Sequence, residues 1–373
     1  MKFKLAKLLA VPIIAVASLG CPNAKDFANS YQESTMQQSA KANNAYHIFA
    51  SPLGNDALWG EIPEHAVRSL DRVMAISEIY YSPQFVSNIH FSRGGFGTGQ
   101  HYEVTRPTIM QGEGKYVTTL SGSLDARYCN LFYVSDLNVY SHFRKRIIES
   151  SGFNTRLNGV GVIGTRLNDD GQPTQSGVYA RSPQALLIED CDFGGVGIAK
   201  GIELENFSAK SNNSRITGNL FRGQCGLYVK DSMIGGTDQF NNNLFDCQTA
   251  VYVENGKLEL EGNAWATGSL FPYSWEKDIW QHLDYTDWLT TDETEIENMI
   301  DKDENSTVNV ANPLPFNPLI PMHDYNFDRK VDSVDVQLSI NSALGLEYIV
   351  ERGEYIQADA STIQATINTA LGK

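Results

Sequence analysis

The feature that most constrains this chain is an internal repeat. Asn219-Leu220-Phe221 leads to Gly226-Leu227-Tyr228-Val229, and 24 positions on Asn243-Leu244-Phe245 leads to Ala250-Val251-Tyr252-Val253. Asn263-Ala264-Trp265 opens another turn after 20 more. Upstream, Leu187-Ile188-Glu189-Asp190-Cys191-Asp192-Phe193 with Gly201-Ile202-Glu203-Leu204 repeats the pattern less strictly. So do Val134-Ser135-Asp136-Leu137-Asn138-Val139 and Gly159-Val160-Gly161-Val162-Ile163. A period in the twenties marks a solenoid. The apolar runs are too short for helices and lack a 3.6-residue period. Gly, Asn, Asp and Ser separate them, and the spacing of a leucine-rich repeat is absent. The chain is therefore predicted to be all-β, a parallel β-helix with room for roughly eight coils of about 22 residues between Ile89 and Trp265. Successive coils stack about 4.8 Å apart. Asn219, Asn243 and Asn263 at the corners are predicted to form amide ladders between coils.

Composition agrees. Hydrophobic residues make up 42% of 373, enough for a sizeable core, and 31 glycines suit a turn-rich β protein. A net charge of −15 excludes non-specific nucleic-acid binding, which needs a basic surface. Lys2, Lys4 and Lys7 precede an apolar run from Leu8 to Leu19, too short to span a bilayer comfortably. Cys21 follows Ser18-Leu19-Gly20. This resembles a bacterial lipoprotein signal, with Cys21 as the lipidated residue, although the leucine sits two places before the cysteine instead of three. Cleavage after Ala17 in Ala15-Val16-Ala17 is the competing reading. Either way the protein is expected to be exported, held at a membrane by an N-terminal lipid anchor or released. Residues 22–45 read as a polar tether. The other cysteines (Cys129, Cys191, Cys225 and Cys247) have no zinc-clamp spacing. Export permits disulfides, and small buried thiols are the preferred reading.

The opening of the body, His47-Ile48-Phe49-Ala50-Ser51-Pro52-Leu53-Gly54-Asn55-Asp56 and then Trp59, resembles the start of secreted proteins of the pectate-lyase-like superfamily. So does the run Ile89-His90-Phe91, Gly95, Tyr102-Glu103-Val104, Pro107-Thr108-Ile109 and Gly112-Glu113-Gly114. The resemblance covers about 220 residues with the repeats and implies a right-handed parallel β-helix. It says little about chemistry, because that superfamily holds lyases, hydrolases, epimerases, esterases and non-catalytic surface proteins. Ala66 to Tyr80 is predicted helical, with Val67, Leu70, Val73, Met74 and Ile79 on one face, capping the open first coil. The coils are expected to stop after Trp265. An acidic, aromatic segment with a short helix from Glu293 to Ile300 follows, then a proline-rich exit at Pro313, Pro315, Pro318 and Pro321. The expected division is a signal at 1–21, a tether at 22–45, the β-helix at 46–273, an acidic cap and linker at 274–320, and a small helical module at 321–373.

That module carries an EF-hand-type spacing. Oxygens at positions 1, 3, 5, 7, 9 and 12 come from Asp324, Asn326, Asp328, the Lys330 carbonyl, Asp332 and Asp335, a set suited to calcium. Arg329 replaces the glycine usual at position 6. With Asp at position 12 and a helix from Val336 to Leu344 ended by Gly345, the loop resembles a dockerin repeat. Leu338–Gly345 matches Ala365–Gly372 at an offset of 27. The second loop keeps carboxylates only at Glu351 and Asp359. A dockerin-like pair implies a cohesin-type partner and attachment to polysaccharide-degrading proteins.

For chemistry, a uronan lyase needs a base beside the sugar C5 proton and a cation for the carboxylate. Basic residues cluster in the middle coils, among them Arg144, Lys145, Arg146, Arg156, Arg166, Arg215, Arg181, Lys200 and Arg222. Such a band could attract an anionic chain, or be a solvated face interleaved with Glu203, Glu205 and Asp192. A hydrolase needs paired carboxylates. Asp169 in Asn168-Asp169-Asp170-Gly171, with Asp190 and Asp192, are candidates, similar to polygalacturonase motifs one coil apart. That family's Gly-His-Gly and Arg-x-Lys motifs have no matching context here, and Asp169-Asp170 also reads as a loop tip. His90, His101 and His142 lack metal spacing, and no nucleophile elbow or phosphate loop occurs. The expected function is polysaccharide binding with lyase or glycoside hydrolase activity as its catalytic form. The alternative is a non-catalytic cell-surface or adhesion lipoprotein.

Overall fold

A computed structural model describes residues 45–372, except 80–85, 143, 152–153, 184, 208–213, 236–237, 268–287, 321, 326–330, 347 and 352–353. The described chain is mostly β, and nearly all strand pairs are parallel. Side chains that repeat in the sequence are partners in space. Leu220, Phe221, Tyr228 and Val229 lie opposite Leu244, Phe245, Tyr252 and Val253. Phe193 lies opposite Phe221, and Phe245 opposite Trp265.

Three parallel ladders result. The first contains Val86–Phe91, Thr108–Gln111, 131–135, 154–158, Ala185–Glu189, Arg215–Thr217 and Gln239–Asn241. The second runs through 94–96, 118–121, 137–141, 160–164, Asp192–Gly194, 220–223, 244–247 and Ala264–Ala266. The third runs through 100–103, 122–126, Arg146–Ser150, Gln175–Arg181, Ile198–Glu205, 225–230, 249–254 and Ile300–Lys302.

The corners explain the Gly, Asn and Asp punctuation. Between first and second ladders, six successive turns each place one residue at positive φ: Asp136, Gly159, Asp190, Gly218, Asn242 and Gly262, at 53–68°. Gly, Asn and Asp tolerate that left-handed region best. The residue after it points inward. Asn219 Nδ2 donates to Asn243 Oδ1 at 3.0 Å, and Asn243 Nδ2 to Asn263 Oδ1 at 3.0 Å. The expected amide ladder is present. It begins at Cys191, whose N–H donates to Asn219 Oδ1 at 2.9 Å. Beside it, Phe193, Phe221, Phe245 and Trp265 stack at 5.0–5.1 Å between ring centres, all buried. Such rings dominate core energetics through buried area and offset stacking.

Three elements differ from expectation. Helix α1 covers Leu70–Ile79, not residues from Ala66, because Asp56 accepts from Arg68 N and Ser69 N at 2.7 and 2.8 Å and holds 66–69 extended. Its buried face is Leu70, Val73, Ile76 and Ser77, while Met74 is half-buried and Ile79 is exposed. Second, the stack does not stop at Trp265. Ile300–Lys302 pairs with Leu244–Glu254, and Thr307–Ala311 with Lys257–Glu261. Helix α2, Glu293–Asn298, is shorter than predicted and is capped by Asp292. The proline-rich exit folds back, with Leu314 and Leu319 packed against Ala264 and Ala266. Third, helix α3 begins at Ser333, not Val336, and runs to Ala343 because Asp332 caps it. It pairs with helix α4, Ala360–Ala370, over Tyr325, Ile349 and Ala358. The four described cysteines are free.

Candidate functional site

The third ladder carries the longest ordered polar row. Glu103, Asp125, Glu149, Tyr179, Glu203, Tyr228, Tyr252 and Asp301 lie each directly opposite the next. The interior residues on either side, such as Ile202 and Leu204 or Leu227 and Val229, are buried. Strand alternation therefore turns the row to the outer face, where Asp125 and Tyr179 are buried, at 4% exposed each, beneath Arg127 and Arg146. At about 4.8 Å per rung it extends on the order of 34 Å.

Cations flank this row, and each is matched. Arg146 lies 2.8 Å from Glu149 and its guanidinium sits 3.3 Å from the Tyr179 ring centre. Lys200 lies 2.7 Å from Glu203 and 3.4 Å from the Tyr228 ring centre. Arg127 joins Asp125 at 2.5 Å, and Lys230 joins Glu254 at 2.5 Å. Tyr179 donates to Glu205, and Tyr228 to Glu254 at 2.5 Å. Burial first, and then donation to Glu205, pushes the Tyr179 phenol up to about 12; burial and Glu254 push Tyr228 up further. Both phenols are donors at neutral pH, not bases. Burial pushes the Asp125 carboxyl up, but the Arg127 hydrogen bonds outweigh it and hold it below its ordinary value. Tyr228 and Tyr252 stack at 5.1 Å, so their faces are occupied by each other and by Lys200. The outer surface offers ring edges, hydroxyls and carboxylates.

The sequence candidates do not converge. Lys200 and Arg181 stand on this face, with Arg181 3.9 Å from Glu205. Arg222 is 4% exposed in the second ladder, opposite Asp246. Asp169 is at an exposed turn tip beside Asn168, whose side chain accepts from Asp170 N and Gln172 N. Asp190 is a corner residue at φ 53°. Asp192 is 6% exposed and held by Lys115 at 3.2 Å and Tyr116 at 2.8 Å. Lys115 also donates to the Asp190 carbonyl at 3.0 Å, strapping turns far apart in sequence. The Lys115→Ala protein should lose about 2–4 kcal/mol, because Asp192 is left buried without its cation. Its urea midpoint should fall, and Lys115→Ala/Asp192→Asn should recover part of the loss. An unchanged midpoint would remove the strap.

Sequence reading missed Glu149, Tyr179 and Glu254; it held Arg146 only as a member of the basic band and Tyr228 only as a repeat position. Alignment of Gly201-Ile202-Glu203-Leu204 with Gly226-Leu227-Tyr228-Val229 held the signal for the row. His101 Nδ1 lies 3.0 Å from Ser123 Oγ, and its Nε2 3.5 Å from Asp125. These are the residue types of a triad, but Asp125 is hydrogen-bonded by Arg127 and not by His101, and Ser123 is 1% exposed, so its hydroxyl is not presented at the surface. Burial pushes the Cys129 thiol up to about 11 and Cys191 and Cys225 up to about 12, away from the lowered range of a reactive thiolate.

In the C-terminal module, Asp324 and Asp335 are 2% and 0% exposed. Asp335 accepts from Tyr325 N at 2.7 Å and Asp332 N at 2.9 Å, and Asp332 from Val334 N at 2.7 Å. Asn326, Asp328 and Lys330 lie outside the described residues, as does Cys21. Among the described residues no three His, Cys, Asp or Glu form a metal-holding group, and no helix is long and apolar enough to cross a membrane. No family model, curated protein or solved structure matches the chain.

Proposed function

We propose that this chain is an exported right-handed parallel β-helix of the pectate-lyase-like kind that holds a linear polysaccharide along its third ladder. The observation that carries the reading is the unbroken registered row from Glu103 to Asp301. A linear polymer repeats its hydroxyls at a fixed interval, and a ladder repeats acceptors and donors at another. Several weak contacts then act together. Because Arg127, Arg146, Lys200 and Lys230 are each matched by a carboxylate, the strip is mixed in sign. That favours a neutral glycan over a uniformly anionic one. It also favours holding over cleavage, since a lyase base must be free to reach a sugar proton and the Lys200 ammonium is engaged by Glu203 at 2.7 Å and by the Tyr228 ring. A tethered, non-catalytic surface protein is the form this reading takes.

Calcium belongs to the proposal through the C-terminal module, with Asp324, Asn326, Asp328, the Lys330 carbonyl, Asp332 and Asp335 as donors. Two nearly inaccessible carboxylates in one loop suit a hard divalent ion, whose charge offsets their desolvation. When bound, calcium supplies cross-linking of the loop, not chemistry. Exposed Leu344, Leu346, Tyr348 and Leu371 on that module suit a cohesin-type protein partner. Export and lipidation at Cys21 rest on residues 1–44.

The test is a panel of pectate, alginate, chondroitin and neutral glucans. Binding is read by affinity electrophoresis, and cleavage by absorbance of unsaturated products and by reducing ends. A neutral glucan should be retarded and Tyr228→Ala should weaken it about fivefold, the worth of one hydrogen bond of about 1 kcal/mol. Product formation abolished by Lys200→Ala would replace holding with lyase chemistry. Silence across the panel, or binding indifferent to Tyr228 and Glu203, sinks the assignment.

A further inference from the structure

The two ends of the stack are finished differently. At the start, α1 buries Leu70, Val73 and Ile76. At the other end, Thr307–Ala311 pairs with Lys257–Glu261, and no other strand among the described residues pairs with it. Its five residues are uncharged, with Val308 and Val310 half-buried and the others exposed. A groove of about 890 Å³ lies against it, lined by the consecutive residues 308–313, by Ile300 and Lys302, and by Glu293, Ile296 and Glu297 of α2. Side chains alternate between the faces of a strand. A lining of consecutive residues therefore means that the groove follows the backbone edge.

We infer that this groove binds an extended peptide segment by strand addition, and that the preferred segment alternates apolar with basic side chains. An unpaired edge offers main-chain N–H and C=O groups to an incoming strand, which supply affinity. Ile296, Ile300, Val308 and Val310 provide apolar contacts for alternate side chains. The exposed carboxylates of Glu293 and Glu297 outnumber Lys302, the one cation among the described residues that line the groove. They favour a partner with lysine or arginine at the intervening positions. A second copy of this chain, at net −15, brings charge of the wrong sign to the same wall.

The test uses the full chain and three fluorescent, end-blocked heptapeptides at about 0.15 M salt, where general attraction is screened beyond roughly 8 Å. One alternates lysine and valine; one replaces every lysine by glutamate; one keeps the lysines but has proline for the central valine. Anisotropy should show saturable binding of the first and at least tenfold weaker binding of the other two. The Glu293→Lys/Glu297→Lys protein, changed only at exposed positions, should invert the preference between lysine and glutamate peptides. Equal binding of the proline peptide would reduce the effect to general electrostatics and overturn the inference. So would a preference untouched by charge reversal, or a concentration-dependent dimer in sedimentation that excludes the peptide.

Discussion

Asn243→Ala should destabilise the stack by about 3–6 kcal/mol, read as a fall in the urea midpoint with an unchanged slope. The side chain is 1% exposed and fully used. Its Oδ1 accepts from Asn219 N at 3.1 Å and Asn219 Nδ2 at 3.0 Å, and its Nδ2 donates to the Ile216 carbonyl at 2.8 Å and Asn263 Oδ1 at 3.0 Å. Alanine removes four buried hydrogen bonds, each worth about 0.5–1.5 kcal/mol, and strands the Asn219 N–H at about 1–3 kcal/mol; Asn219 Nδ2 keeps the Ile188 carbonyl and Asn263 Oδ1 keeps the residue 243 N–H, and a water admitted to the gap recovers part. Asn243→Asp keeps both accepted bonds, loses both donors and buries a charge, so it should be no better than alanine near neutral pH. A loss under about 1 kcal/mol for Asn243→Ala would mean that backbone pairing alone holds the turns together.

Asp335→Ala should release the C-terminal module. Asp335 is fully buried and ties Tyr325 N and Asp332 N to the start of α3 while completing its capping box. Removing it leaves the Asp332 cap in place but breaks the N3 half of the capping box, and strands the buried Tyr325 N–H, which costs about 1–3 kcal/mol. The module's core is small, with Tyr325, Ile349 and Ala358 its buried members, so a loss of that size is decisive. Hydrogen exchange on the full chain should show amides of 333–343 and 360–370 losing protection together. In the unsubstituted protein, millimolar calcium but not magnesium should raise that protection, and Asp335→Ala should abolish the response. Exchange indifferent to calcium would remove the metal from the proposed function, while the cap argument would stand or fall on the apo protein.

The repeat was legible because the stack sets equal residues against each other. Asn over Asn and Phe over Phe are an alignment in sequence and a contact in space at once. The last turn was not legible, because residues 267–299 intervene before Ile300–Lys302 resumes the third ladder. Neutralisation of the basic band was hidden for a related reason. Arg156 and Arg215 both reach Glu189 from other turns, at 3.4 and 3.0 Å, and no fixed spacing announces such partners. The start of α1 was misplaced because Asp56, outside the amphipathic window, decides where residues 66–69 go. Tyr179 escaped notice because its turn departs from the strict repeat; only its partners Glu149 and Glu203 place it in the row.

The positive-φ corners have a consequence for how such a chain changes length. From Asp136 to Gly159 and from Asn242 to Gly262 the path is short, whereas from Gly159 to Asp190 it is longer by the exposed hairpin around Asp169. Yet the strands on either side keep step. The first-to-second corner acts as a clasp of fixed size, and surplus chain escapes at the other bends. Foreign sequence spliced between Asp169 and Gly171 should leave the pitch untouched, and the same splice at Asp190 should throw every later rung out of step.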